Sequence, residues 1–66
     1  MNCTVNGELK VLPDGLSVEG LIEHLGLASA ICAAEVDKKI VPKRERSSCV
    51  LLEGQHVEIV TLVGGG

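Results

Sequence analysis

The chain contains no Phe, Tyr or Trp among its 66 residues. Any core must therefore be built from Val, Leu, Ile and Ala. The absence also removes the aromatic platforms on which single-stranded nucleic-acid binders stack bases. Cysteine is scarce: Cys3, Cys32 and Cys49 are odd in number and widely spaced. That set makes neither a disulfide framework nor the four closely spaced thiolates of an iron–sulfur centre. No apolar run is long enough to span a bilayer, and no leader-like segment precedes the first strand pattern. There is no glycine-rich phosphate loop opening a helix, and no acid–base pair at helical spacing. His24 and His56 lack companions at zinc-ligand spacing. The resulting expectation is a monomeric protein of a reducing, cytoplasmic compartment. It should have no catalytic side chain, no metal or cofactor of its own, and no nucleic-acid or membrane partner.

What remains is small and charge-segregated. Sixty-six residues make one domain, and a domain of this size buries only about 60% of its unfolded surface. Net charge is −3. Residues 38–46 hold Lys38, Lys39, Lys43, Arg44 and Arg46 against Glu45, a local +4 that leaves −7 for the rest. An acidic body with one basic corner can steer a partner, although such a corner taken alone reads as a solvated loop.

Along the chain, Met1, Cys3 and Val5 alternate with Asn2, Thr4 and Asn6, the period of a half-buried strand. Asn6-Gly7 then marks a type I′ hairpin turn. Leu9 and Val11 alternate with Glu8 and Lys10 in the return strand, which Pro13-Asp14-Gly15 ends. Ser17 is placed as a helix N-cap. Val18, Leu21, Ile22 and Leu25 form one apolar stripe behind it, and Gly26 suits the position after the last turn. Gly20 inside the helix costs up to ~1 kcal/mol relative to Ala; close approach of helix to sheet would explain it. Residues 31–36 read as a strand, 40–42 as a short extended piece stopped by Pro42, and 43–48 as a polar helical turn. Residues 49–52 are a short apolar segment. The order hairpin, helix, strand, short strand, strand predicts an α+β roll, one helix across one face of a mixed sheet.

The chain closes on HVEIVTLVGGG, residues 56–66. Val57, Ile59, Thr61 and Val63 fall on one face, and His56, Glu58, Val60 and Leu62 on the other. Apolar residues on both faces suit a central strand covered on both sides. The division is a domain over residues 1–63 and a flexible tail over 64–66. Three glycines without Cβ atoms fit a channel too narrow for other residues, and extended they reach roughly 10 Å. The reactive group at their end is the carboxylate of Gly66.

Taken together, the hairpin around Asn6-Gly7, the capped helix S-V-x-x-L-I-x-x-L, the segments KKIVPK and LLEGQHVEIVTLV, and the final GGG resemble the ThiS family. These are the sulfur carriers of thiamine biosynthesis. The most specific parts are Ile40-Val41-Pro42-Lys43 and the run 54–60. Gln55 departs from the Asp often found there, which should weaken a turn hydrogen bond at most. The resemblance implies the ubiquitin-like β-grasp fold and a carrier acted on by other enzymes. A ThiF-type enzyme, holding ATP and magnesium, would adenylate Gly66. Sulfur from a persulfide would convert it to a thiocarboxylate, and a ThiG-type thiazole synthase would take that sulfur. Gly64 and Gly65 would be the tail presented to partners. Val60 and Leu62, opposite Val57 and Ile59, are candidate docking residues; alternation alone does not say which face the helix covers. Two other readings stay open: a carrier like the small subunit of molybdopterin synthase, and a non-covalent β-grasp module with inert glycines.

Overall fold

The computed structural model describes residues 1–62. Its elements are β1 (Asn2–Val5), β2 (Glu8–Val11), α1 (Val18–His24), β3 (Cys32–Val36), β4 (Lys39–Ile40) and β5 (His56–Thr61). A 3-10 turn at Lys43–Glu45 lies between β4 and β5. The strands form one mixed sheet in the order β2-β1-β5-β3-β4. β5 runs parallel to β1 and antiparallel to β3. Both flanking pairs, β1–β2 and β3–β4, are antiparallel. With α1 packed on one face, this is the α+β roll that the pattern predicts, in β-grasp order.

The first hairpin forms because Asn6 and Gly7 take φ of 51° and 83°, the left-handed pair a type I′ turn demands. Asn6 does more than turn the chain. Its Nδ2 donates to Ile59 O at 3.2 Å, and its Oδ1 accepts the Ile59 N–H at 2.8 Å. The side chain thereby continues the β1–β5 ladder one step past the end of β1. The β3–β4 turn uses positive φ without glycine, at Asp37 (49°) and Lys38 (70°). Asp37 is held there from outside, its Oδ1 accepting the His56 N–H at 3.0 Å.

Ser17 caps α1, its Oγ accepting the Gly20 N–H at 3.0 Å. The neighbouring Val18 and Glu19 N–H groups, unsatisfied by any short helix, donate to Cys49 O (2.9 Å) and Arg46 O (3.0 Å). Residues 46–51 are thus stitched to the start of the helix. At the other end, Gly26 (φ 77°) donates to Glu23 O and Leu27 to Ile22 O. That is the paired closure in which a glycine ends a helix.

The core is aliphatic, as the missing aromatics require. Val5, Val18, Leu21, Leu51 and Val57 are fully buried together with Cys3. Leu25, at the end of the helical stripe, is half-buried against them.

Two expectations are corrected. β5 is central but covered on one side only: Val57 and Ile59 are buried while Val60 is 55% exposed. The described part of that strand ends at Thr61, and Val63 lies outside the described residues, as does the 64–66 tail. Gly20 faces Leu16 rather than the sheet: a Cβ there would sit 2.7 Å from Leu16 Cδ1, the end of a side chain that can turn aside. The short apolar segment 49–52 makes a single bridge, Val50 with Ser17. Gln55 makes a side-chain bond of its own in the turn, its Oε1 accepting the Leu52 N–H at 2.8 Å.

Replacing Asn6 by Ala leaves both Ile59 backbone groups short of a partner. It should cost about 1–3 kcal/mol in urea unfolding followed by far-UV circular dichroism. Glu8→Gln on the neighbouring exposed position should stay within about 0.5 kcal/mol of the parent.

Candidate functional site

Strand pairing decides the face that the sequence left open. Residues directly opposite in a ladder share a face. Thr4 opposes His56, Leu9 opposes Thr4, and Ala33 opposes Val60. The side away from α1 therefore carries His56, Glu58 and Val60 of β5, Leu9 and Val11 of β2, and Ile40 of β4. Val60 and Leu62 are 55% and 61% exposed, and Leu9, Val11 and Ile40 are more exposed still. Four large aliphatic residues on one uncovered sheet face, with exposed Leu62 just past the end of β5, are more than isolated surface apolar residues. Val60 and Leu62 thus lie where a partner can reach them, and the sequence reading missed Leu9, Val11 and Ile40. The signal for these three was register parity, which appears only once strands are paired.

Leu62 is fixed by its N–H, which donates to Ile31 O at 2.8 Å. The chain is thereby tied to the start of β3 just after β5 ends. Gly64, Gly65 and Gly66 lie outside the described residues.

The polar half of the open face is acidic. Glu35 and Glu58 stand directly opposite each other, an arrangement that opposes pairing. Neither takes part in a salt bridge among the described residues. With Asp37, Lys38 and His56 they line a shallow groove. His56 is exposed at the start of β5, and His24 is exposed on the helix. Among the described residues, no three His, Cys, Asp or Glu side chains converge as a metal-binding group. No described helix is long and apolar enough to cross a membrane.

The basic corner divides in two. Lys38, Lys39, Lys43 and Arg44 are exposed, and the Arg44–Glu45 pair at 3.8 Å is a surface contact worth little. Arg46 is buried instead, its Nη2 donating to Cys32 O at 2.6 Å. Reading that corner as solvated fails for Arg46. All three cysteines are free; Cys3 is buried, with its thiol donating to Leu52 O at 3.3 Å.

The model of the ThiS family matches residues 2–66. The chain belongs to the ThiS family. The thiamine biosynthesis protein ThiS from Geobacter metallireducens superposes with a TM-score of 0.84 at 28% identity, over the whole of both chains. That likeness bears out the β-grasp architecture. Two curated proteins named thiazole synthase, from Paramagnetospirillum magneticum and Magnetococcus marinus, are each 35% identical over 66 residues. The ThiS-family chain spans about a fifth of the length of each. The uncharacterized protein ycf40 of Porphyra purpurea is 34% identical over 62 residues, covering 94% of this chain and 87% of its own.

Because the open face contributes nothing to the core, Val60→Glu and Leu62→Glu should each leave unfolding free energy within about 0.5 kcal/mol of the parent. Ile59→Ala, one residue away on the buried side, should cost about 2–5 kcal/mol. Denaturant titration of the three variants checks the division of faces.

Proposed function

We propose that this protein is a sulfur carrier of thiamine biosynthesis, with the carboxylate of Gly66 as the carrier atom group. The observation that carries the reading is the family match, which runs to residue 66 and so includes the three glycines. The ThiS of Geobacter metallireducens, alike over the full chain, supports the same pathway.

A terminal carboxylate is ionised at neutral pH and is a poor electrophile. A ThiF-type partner, which itself holds ATP and magnesium, activates it. A carboxylate oxygen attacks the α-phosphorus, pyrophosphate leaves, and an acyl adenylate forms. The terminal sulfur of a persulfide then displaces AMP to give an acyl disulfide. A second thiol attacks the donor's inner sulfur, and the sulfur–sulfur bond to the carrier breaks. A disulfide forms on the donor side, and the thiocarboxylate, a soft nucleophile, departs. The acceptor enzyme in this reading is a thiazole synthase of the ThiG type; two relatives bear the name thiazole synthase. Gly64 and Gly65, without side chains, suit entry into two different active sites.

The open sheet face is the proposed docking surface. Val60 and Leu62 are its described apolar groups closest in sequence to the tail, and the unpaired Glu35 and Glu58 favour a cationic partner beside them. The family match favours this reading over the molybdopterin-type carrier. A non-covalent module is the outcome left if the glycines prove inert.

Incubating the protein with a ThiF-type enzyme, ATP and magnesium should yield an AMP adduct by intact-mass spectrometry. With a persulfide donor it should yield an oxygen-to-sulfur exchange mapped to Gly66. Removing Gly66 should abolish both while the circular dichroism spectrum stays unchanged. No change in mass would leave only the non-covalent module. Leu62→Glu should slow adenylation without unfolding the domain, and an unchanged rate would remove Leu62 from the docking surface. Glu58→Gln relieves the repulsion with Glu35, so it should stabilise the free domain by roughly 0.2–1 kcal/mol. The same change should raise the KM for carrier in the adenylation assay.

A further inference from the structure

On the side of the molecule that carries α1, a cavity of about 220 Å³ opens between the helix, residues 28–31 and the 3-10 turn. Its wall includes Glu19, Ser29, Cys32, Lys43 and Arg46. Cys32 is half-buried and free, and its Sγ lies 4.0 Å from Arg46 Nη1. Arg46 is only 8% exposed, yet its Nε finds no hydrogen-bond partner among the described residues. A buried guanidinium with an unused donor is costly in the isolated domain. Arg46 and Lys43 both line the cavity. Two cations against the single carboxylate of Glu19 make the cavity locally positive on a chain whose net charge is −3.

We propose that this cavity is a thiolation site, where Cys32 exchanges with small carboxylate-bearing disulfides of the glutathione class. In the exchange the Cys32 thiolate, its proton given to solvent, attacks one sulfur of the disulfide. A new bond to Cys32 forms, the original sulfur–sulfur bond breaks, and the other half departs as a thiolate. The disulfide itself is the oxidant, so no further redox partner is needed. Lys43 and Arg46 attract the carboxylates and hold the incoming half, which selects anionic over neutral or cationic reagents.

The other two cysteines serve as internal controls. Cys3 is fully buried. Cys49 is half-buried like Cys32, but it does not line the cavity. Cys32 stands opposite Thr61, the last residue of β5, so an adduct sits at the end of the sheet where the C-terminal residues begin. The proposal stands on the cavity and does not require the carrier function.

The test exposes the reduced full chain to oxidised glutathione, 2-hydroxyethyl disulfide and cystamine, and maps adducts by peptide mass spectrometry. Cys32 should be modified ahead of Cys49. Oxidised glutathione should outpace cystamine at Cys32 by roughly tenfold after correction for intrinsic disulfide reactivity against a free thiol, and the margin should shrink at high salt. Lys43→Gln, an exposed substitution that leaves the core intact, should lower the glutathione rate several-fold and leave the 2-hydroxyethyl disulfide rate unchanged. Arg46→Lys, which keeps a charge, should retain more of the preference than Arg46→Gln if both fold. Adducts appearing first on Cys49, equal corrected rates for the three disulfides, or indifference to Lys43→Gln would each overturn the proposal.

Discussion

The whole sheet depends on β5 being received between β1 and β3. The two hairpins β1–β2 and β3–β4 have no direct pairing with each other. β5 joins them by one parallel and one antiparallel ladder. Its inner residues Val57 and Ile59 then complete the surface on which α1 packs. The joint is reinforced where the parallel ladder is shortest, by Asn6 bonding both backbone groups of Ile59. A side-chain amide serves here as an extra residue of main chain, because it offers a donor and an acceptor side by side.

The same strand separates stability from availability to partners. Side chains alternate across a strand, so with one face spent on the core the other is left free. Val60 is therefore exposed for the same geometric reason that Val57 and Ile59 are buried. A small domain without aromatic residues has little apolar surface to spare. Leaving these large aliphatics uncovered is a concession against that limit, which the docking proposed for this face would offset. The facing glutamates Glu35 and Glu58 are a second local conflict on the same surface. Such conflicts gather at functional sites in general, which is why this face is the one proposed for docking.

A second tie holds the loop after β4. Carbonyls of Arg46 and Cys49 accept the first free N–H groups of α1, so a segment without regular structure is anchored by the helix's own unmet donors. This places the Arg46 side chain inward against Cys32. A charge read from sequence as part of a solvated corner becomes a buried contact because its backbone, rather than its chemistry, sets its direction.

Much of the architecture was legible in the chain itself. The Asn6-Gly7 turn, the Ser17 cap, the apolar stripe of Val18, Leu21 and Ile22, and the glycine after the helix are local rules, each expressed by residues a few positions apart. The fold class followed from their order, and the family from the KKIVPK and HVEIVTLV segments with the final glycines. Other features were not legible, since they join residues distant in sequence. The Asn6–Ile59 bonds span 53 positions, and the inward turn of Arg46 depends on where α1 starts. Likewise Leu9, Val11 and Ile40 share a face with Val60 only through register. Sequence thus determined which elements form, because hydrogen bonding and periodicity act over short stretches. Tertiary structure alone decided which side of β5 meets the helix, because aliphatic residues on both sides satisfy alternation equally and only packing distinguishes them.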